Sequence, residues 1–324
     1  MANPPPLSPV LNERESIALS PHRRGLATIM KTQWMLIAMS LPFLAHLVLF
    51  RFGPLFGWVM AFQNYRPGRS MLDQEWVGLT QFRELLVDPV FWRVFRNTMA
   101  MALIKLIMGT FFSVLIAVLI NETRNRPFRR SVQTISYLPH FISWVVAANI
   151  WLELLSPRGI VNELMMSLNL SEEPILFMGQ KQLFWWIIGW SHVWKTAGFG
   201  AIIYLAAMTS IDPQLYEAAD IDGASRLQRI WHITLPGIRA TFVILLILNI
   251  GQLMELGFEQ QYLLGNALVQ EYSEVFTIYV LRYGLRLTRF SFATAAGIFR
   301  SAVSIALVVL ANTIARRMGE ETLM

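Results

Sequence analysis

The sequence has no cysteine, which excludes disulfides, thiolate metal sites and cysteine nucleophiles together. It is also short of charge: only 15% of its 324 residues are Asp, Glu, Lys or Arg. A soluble domain carries about 25% to cover its surface. No Gly-Lys dipeptide occurs, so the phosphate loop G-x-x-x-x-G-K-[ST] is absent and nucleotide hydrolysis must come from elsewhere. The five histidines, at 22, 46, 140, 192 and 232, are dispersed and form no H-E-x-x-H pair. "GFG" at 198–200 lacks the third glycine and the preceding strand of a dinucleotide site. Neither a catalytic set nor a metal site emerges.

What the chain does have is apolar length. It is 55% hydrophobic with a mean hydropathy of +0.46. Several runs near 20 residues carry few or no charges, and a helix of about 20 residues crosses the roughly 30 Å hydrocarbon layer. The runs are continuous rather than alternating, so helices that satisfy their own backbone bonds are expected, not a barrel. The reading is an all-α integral membrane protein with six spans, at 34–62, 97–120, 131–154, 183–208, 240–258 and 291–315. The first contains Arg51 and Pro54 and is expected to be tilted or broken. Residues 1–33 are rich in proline and polar groups; the first twenty are expected to be disordered. The run that follows is too long for a signal-peptide core and has no small-x-small cleavage site.

Six spans put both termini on one side. With that side cytoplasmic, the inner segments 1–33, 121–130, 209–239 and 316–324 hold 13 Lys and Arg against 10 in the outer segments. The tight "NETRNRPFRR" at 121–130 is the clearest inner loop. The same insertion bias accounts for the net charge of +6, so a basic chain here does not point to nucleic acid.

One stretch breaks the apolar pattern. "YEAADIDGASRLQRIWHITLP" (216–236) carries Glu217, Asp220, Asp222, Arg226 and Arg229, and lies on the inner side. Gly223 permits a left-handed backbone that ends one short helix and turns into the next. Leu235-Pro236 is expected to stop the second, because proline cannot continue the hydrogen-bond ladder. The product is a helix-turn-helix at the membrane face, with Ala218 and Ala219 small enough to let another backbone approach. A plain tether would need none of these features.

This stretch fits E-A-A-x3-G-x9-I-x-L-P through Glu217, Ala218, Ala219, Gly223, Ile233, Leu235 and Pro236. In that it resembles the permease subunits of bacterial ABC importers. "FGPLFGWVMAFQNYRP" (52–67), "YLPHFISWVV" (137–146), "GFEQ" (257–260) and "TIYVLRYGL" (277–285) extend the resemblance to the subgroup importing oligo- or polysaccharide fragments, alginate oligosaccharides among them. The resemblance implies the type I importer fold, with the loop 209–236 docking on a cytoplasmic ATPase through Glu217, Ala218, Ala219, Asp222, Gly223, Ile233, Leu235 and Pro236. It implies a second, homologous but different permease, two ATPase subunits carrying ATP and Mg2+, and a solute-binding protein outside. The chain itself would bind no cofactor.

For the solute path the sequence leaves alternatives open. Charges inside spans are costly, so each needs a partner or an aqueous cavity. Lys195 and Glu255 are candidates for the path; Arg51 and Glu153 read as snorkelling or paired, and Lys105 and Arg300 stay undecided. Trp186, Trp190 and Trp194 form a stripe that either stacks on sugar rings or merely packs. Two rival functions are a permease for neutral oligosaccharides and an ion-driven secondary transporter, the latter expected to show inverted repeats and broken mid-membrane helices.

Overall fold

The structure, a computed structural model, describes residues 33–255, 258–317 and 319. The expected disorder of the first twenty residues, most of the C-terminal tail and Gly257 of "GFEQ" lie outside these. Two compact units divide the chain, Met1–Gly57 and Trp58–Met324.

The first span is helix α1, Trp34–Phe62. It does not break at Arg51 and Pro54. Instead the winding changes, from α through a π-turn at Val48–Phe52 to a 3-10 stretch over Gly53–Phe62. Such a change of pitch is how a helix absorbs a proline that lacks an N–H.

The second unit is built on two long helices. After the short helix α2, Thr80–Val87, comes α3, Pro89–Asn121. It starts sharply because the Asp88 carboxylate accepts from the Val90 N–H at 2.8 Å and Pro89 needs no partner. At 33 residues α3 is roughly 50 Å long and overruns the bilayer core. Helix α7, Lys181–Thr209, lies along it. Close approach depends on missing side chains: a Cβ on Gly189 would meet Ile104 Cγ2 at 2.7 Å and Met108 Sδ at 2.8 Å.

Among the described residues, three helices are long and apolar enough to cross a membrane, α1, α3 and the last helix, Phe290–Arg317. Two bent pairs raise the number to as many as five. The remaining expected span, 183–208, is present as α7, but Lys195, Ser191 and Thr196 keep it outside that class. Ser191 and Lys195 are buried against protein instead.

The bent pairs fall in the expected spans 131–154 and 240–258. The region 131–154 divides into α4, Arg126–Tyr137, and α5, Trp144–Leu154, with a 104° bend between Arg126–Phe141 and Trp144–Leu154. The winding tightens to a 3-10 turn over Leu138–Phe141 that carries Pro139 in its first positions, Ile142 is extended, and Ser143 caps α5 by accepting from the Val146 N–H. In the region 240–258 the described residues are helical over Arg239–Gly251, which is bent by 57° against Arg226–Gly237, turn at 252–255, and enter a further helix at Phe258.

The core runs along α3 as three clusters. Leu85, Phe91, Phe276, Tyr279 and Phe292 fill the Asp88 end. Met101, Phe184, Ile188 and Leu264 fill the middle. Ala117, Ile120, Ala201, Tyr204 and Ile238 fill the Asn121 end. This order gives the unit two ends and an interior, and each holds a distinct set of polar groups.

Candidate functional site

At the Asn121 end, residues 212–238 form two helices joined by a tight turn. Asp212 caps α8, Pro213–Ile221, by accepting from the Gln214 N–H at 2.9 Å. The helix ends in a Schellman turn: the Ala224 N–H bonds the Ala219 carbonyl and the Gly223 N–H bonds that of Asp220. Gly223 sits at φ +74°, as the sequence led one to expect. Ser225 and Gln228 then form a reciprocal capping box that starts α9, Arg226–Gly237.

Pro236 does not stop α9. A π-turn at Ile230–Thr234 lets the helix run through Leu235–Gly237, and the break falls at Ile238. The wider turn shifts the hydrogen-bond register ahead of the residue that cannot donate. The two helices are fastened to each other by the Tyr216 hydroxyl with Thr234 Oγ1 at 3.0 Å and by the Arg229–Asp220 ion pair.

Helix α8 buries no residue. Glu217, Ala218, Asp222, Gly223 and Pro236 are exposed, whereas Ala219, Ile233 and Leu235 are half-buried. Ile221, 87% exposed, and Leu227, 64% exposed, add apolar surface beside the acidic groups. The geometry offers a small, self-shaped knob of mixed charge and apolar character.

The interior holds two polar cavities. One of about 560 Å³ is lined by Lys105, His140, His192, Thr196, Asn249 and Gln252 among others. A second of about 370 Å³ includes Trp144, Glu259 and Gln260 and shares Lys105, His192 and Thr196 with the first. Lys105 is only 3% exposed near the middle of α3. Sequence reasoning marked it as an intramembrane charge without a role; α3 is apolar on every side, so no periodicity could tell which way it faces. His192 and Gln260 gave no signal beyond their polarity.

The four residues named from sequence for the path do not line these two cavities. The Lys195 ammonium donates to the His140 carbonyl at 2.8 Å and lies 5.4 Å from the Trp144 ring centre. It thereby caps carbonyls left open at the α4–α5 break, which are favoured sites for a cation. Trp190 packs against Phe112 and is half-exposed, and Trp194 meets Trp151 edge to face at 6.3 Å. Glu255 is exposed and faces Arg300 at 3.9 Å.

The Asp88 end is knit by charge. The buried Glu274 carboxylate faces Arg282 at 2.8 Å and Arg93 at 3.5 Å. Burial pushes its pKa above the usual carboxylate range and outweighs both guanidinium groups. Asn97, fully buried, donates to the Glu271 and Glu274 carbonyls at 2.8 and 3.1 Å. The Tyr279 hydroxyl donates to Asp88 Oδ2 at 2.7 Å; burial, then this bond, raise its pKa. At the surface, Lys181 pairs with Glu271, raising the amine's pKa and lowering the carboxyl's.

An apolar helical bundle with polar interior cavities and an exposed helix pair at one end defines a membrane transport component. Residues 109–320 match the family described as binding-protein-dependent transport system inner membrane component, and the chain belongs to that family. It is 43% identical over 300 residues, 92% of this chain and 93% of the relative, to the polygalacturonan/rhamnogalacturonan transport system permease protein YteP of Bacillus subtilis (strain 168). It is 37% identical to the protein LplB of the same organism, again covering 92% and 93%. A solved bacterial ABC transporter involved in the import of the acidic polysaccharide alginate superposes with a TM-score of 0.83 at 39% identity, over 90% of this chain and 98% of that one. A second structure, of a bacterial alginate ABC transporter in complex with its alginate pentasaccharide-bound periplasmic protein, gives 0.85 at 38%, over 92% and 99%. The chain is thus a permease subunit of an ABC transport system with the type I permease fold, an inner-membrane transport part rather than an enzyme.

Proposed function

We propose that this permease carries uronate-containing oligosaccharides from a solute-binding protein into the cytoplasm, driven by ATP hydrolysed on partner subunits. The exposed helix pair 213–237 carries the coupling part of the reading. Its turn, caps and cross-bonds keep its shape without help from the bundle, while its outer surface is left for a partner. In this role Glu217 and Asp222 meet basic or hydrogen-bonding groups of an ATPase, Ala218 and Ala219 allow close approach, and Gly223 sets the bend. Ile233, Leu235 and Pro236 join the pair to the bundle. A second, homologous permease completes the pore. Both termini and the helix pair face the cytoplasm, in keeping with the four arginines of 121–130.

The substrate class is supported by two similar proteins named for acidic polysaccharides, polygalacturonan/rhamnogalacturonan and alginate. The test is uptake by proteoliposomes holding both permeases, the ATPases and the binding protein. ATP-dependent uptake of trigalacturonate that survives an uncoupler is expected. Equal uptake of a neutral trisaccharide would move the substrate to the neutral class. Uptake that needs no ATP and collapses with the uncoupler would point to an ion-driven carrier.

A further inference from the structure

We infer that the cavity between the helix Phe258–Leu264 and the π-turn Arg282–Arg286 is an entry subsite, where the Arg286 guanidinium receives the carboxylate of a uronate unit arriving from the binding protein. This rests on the proposed substrate class and orientation, and goes further by placing the first contact on this chain.

Three observations meet here. The sequence singles out "GFEQ" and "TIYVLRYGL", and the coupling role uses neither. The fold brings the two segments to one place at the Asp88 end, which faces outward when the helix pair 213–237 faces the cytoplasm. A cavity of about 340 Å³ lies there, lined by Tyr262, Asn266, Gln270, Ser273, Arg282 and Arg286 among others. That volume falls in the roughly 300–1,000 Å³ range of small-molecule sites.

The second observation concerns charge. Arg282 is engaged, on Glu274 at 2.8 Å and over the Tyr283 ring at 5.2 Å. Arg286 is exposed and has no ion pair or hydrogen bond among the described residues. Both stand on one π-turn, a rare winding that is frequent at functional sites. Two arginines against the single Glu274 leave the wall net positive. Arg286 is therefore the group left to meet an incoming anion, and its planar fork matches a carboxylate.

Third, groups suited to a sugar stand open beside it. Gln270 is exposed, and its side-chain amide has no hydrogen-bond partner among the described residues, so it offers both donor and acceptor to ring hydroxyls. Tyr262, 47% exposed and stacked on Phe258 at 5.3 Å, presents a ring and a hydroxyl. Asn266, by contrast, is spent on the loop: it donates to the Met178 carbonyl and accepts from the Leu268 N–H. An acidic side chain of the binding protein would satisfy Arg286 but would need no way inward. The helix Phe258–Leu264 supplies one, since it borders this cavity with Tyr262 and the smaller interior cavity with Phe258 and Glu259.

The test uses the complete importer in proteoliposomes with its binding protein. It compares uptake of trigalacturonate with that of its methyl ester, which keeps the rings and hydroxyls but not the charge. Arg286→Gln is expected to lower uptake of the acid at least about fivefold and of the ester less than about twofold, as loss of one charge-assisted hydrogen bond open to water dictates. Arg286→Lys, which keeps the charge without the fork, should recover part of the acid uptake. Gln270→Glu, a negative charge on the same wall, should lower acid uptake more than ester uptake. Docking of the sugar-free binding protein to the importer in nanodiscs should be unchanged in Arg286→Gln. An unchanged acid-to-ester ratio in Arg286→Gln overturns the subsite while the proposed substrate stands. So does an equal loss of both substrates with weakened docking, which would give Arg286 to the binding protein. If Arg286→Gln fails to assemble, an unchanged ratio in Gln270→Glu overturns the subsite. Wild-type importer that takes up neither form overturns the substrate class, and the subsite with it.

Discussion

The two ends of the second unit are held together in opposite ways. At the Asp88 end the bonds reach across the chain: Asn97 to the carbonyls of 271 and 274, Thr98 Oγ1 accepting from the Phe276 N–H, and Tyr279 to Asp88. Trp185 joins them through the Tyr272 carbonyl at 3.0 Å. At the other end, residues 212–238 bond almost wholly to themselves, through two caps, one Schellman turn, one hydroxyl pair and one ion pair. Only its base is packed, where Ile230, Leu235 and Ile238 join the core and Ile211 lies against Gly237. An element rigid within itself and tied at one base can pass force as a lever. An element sewn to several helices can only move with them.

The largest effect should come from breaking the lever's own shape. Gly223→Pro is incompatible with φ +74° and deletes the N–H that bonds Asp220, so the turn cannot form. Coupled ATPase activity should fall to background, while insertion and the fold of the Asp88 end survive. Glu217→Lys should do the same by charge alone, since Glu217 is exposed and holds no partner among the described residues. Gly223→Asn, which tolerates the left-handed conformation, should keep most of the coupling. Normal coupling in Gly223→Pro would end the lever reading.

Next in size is a cut at the sewn end. Asn97→Leu leaves the carbonyls of 271 and 274 without their donor in a fully buried place. A loss of about 3 kcal/mol is expected, given roughly 1–3 kcal/mol for each buried group left unsatisfied. Thermal unfolding of the purified complex measures it. A loss no greater than that of a surface substitution would show this end to be looser than its bonds imply.

The contrast also divides what the sequence disclosed. The shape of the helix pair was legible in outline, because a left-handed glycine, paired alanines and a Leu-Pro are local signals with fixed spacing, while its caps at Asp212 and Ser225 went unread. Even so, Pro236 was read as a stop, since a π-turn that accommodates proline has no sequence mark. The sewn end was almost invisible. Nothing near Asn97 announces a partner some 174 residues away, and Glu274 reads as one more polar residue in an outer loop. The interior was legible only as a cost: Lys105 and Lys195 were both visible as intramembrane charges. Which of them meets a cavity and which a helix end depends on the bend at 138–143, a tertiary fact. The bends within 131–154 and at the start of 240–258 left no mark for the same reason, the apolar character continuing across the backbone turns.

Acidity should separate two carboxylates within the sewn end. Glu274 has a raised pKa, so between the ordinary glutamate value of about 4.3 and its shifted one the folded state binds more protons than the unfolded. Its contribution is therefore fully present below about pH 4.3 and is lost as pH rises through the shifted value. Glu274→Gln should flatten that slope in the pH dependence of unfolding. Glu271 has the opposite sign: its pKa is lowered by Lys181, so its contribution is present above the ordinary value and lost on acidification. A Glu274→Gln variant with the wild-type slope would mean that burial and the two arginines cancel at that carboxylate, and a slope changed in the opposite sense would mean that the arginines govern it.

The smallest effect should come from the pair that looks as good on distance alone. Lys181 and Glu271 meet at 2.9 Å, much like Arg282 and Glu274 at 2.8 Å. Yet the side chains of the first pair are 47% and 50% exposed, while that of Glu274 is 2% exposed. Water and salt screen the exposed pair, and ordering two long side chains offsets most of what remains. Lys181→Met should change stability no more than an ordinary surface substitution does, with the difference vanishing in high salt. Should it cost as much as Asn97→Leu, the strength of the sewn end would lie in its surface charges rather than in its buried bonds, and the two ends would differ less than their geometry implies.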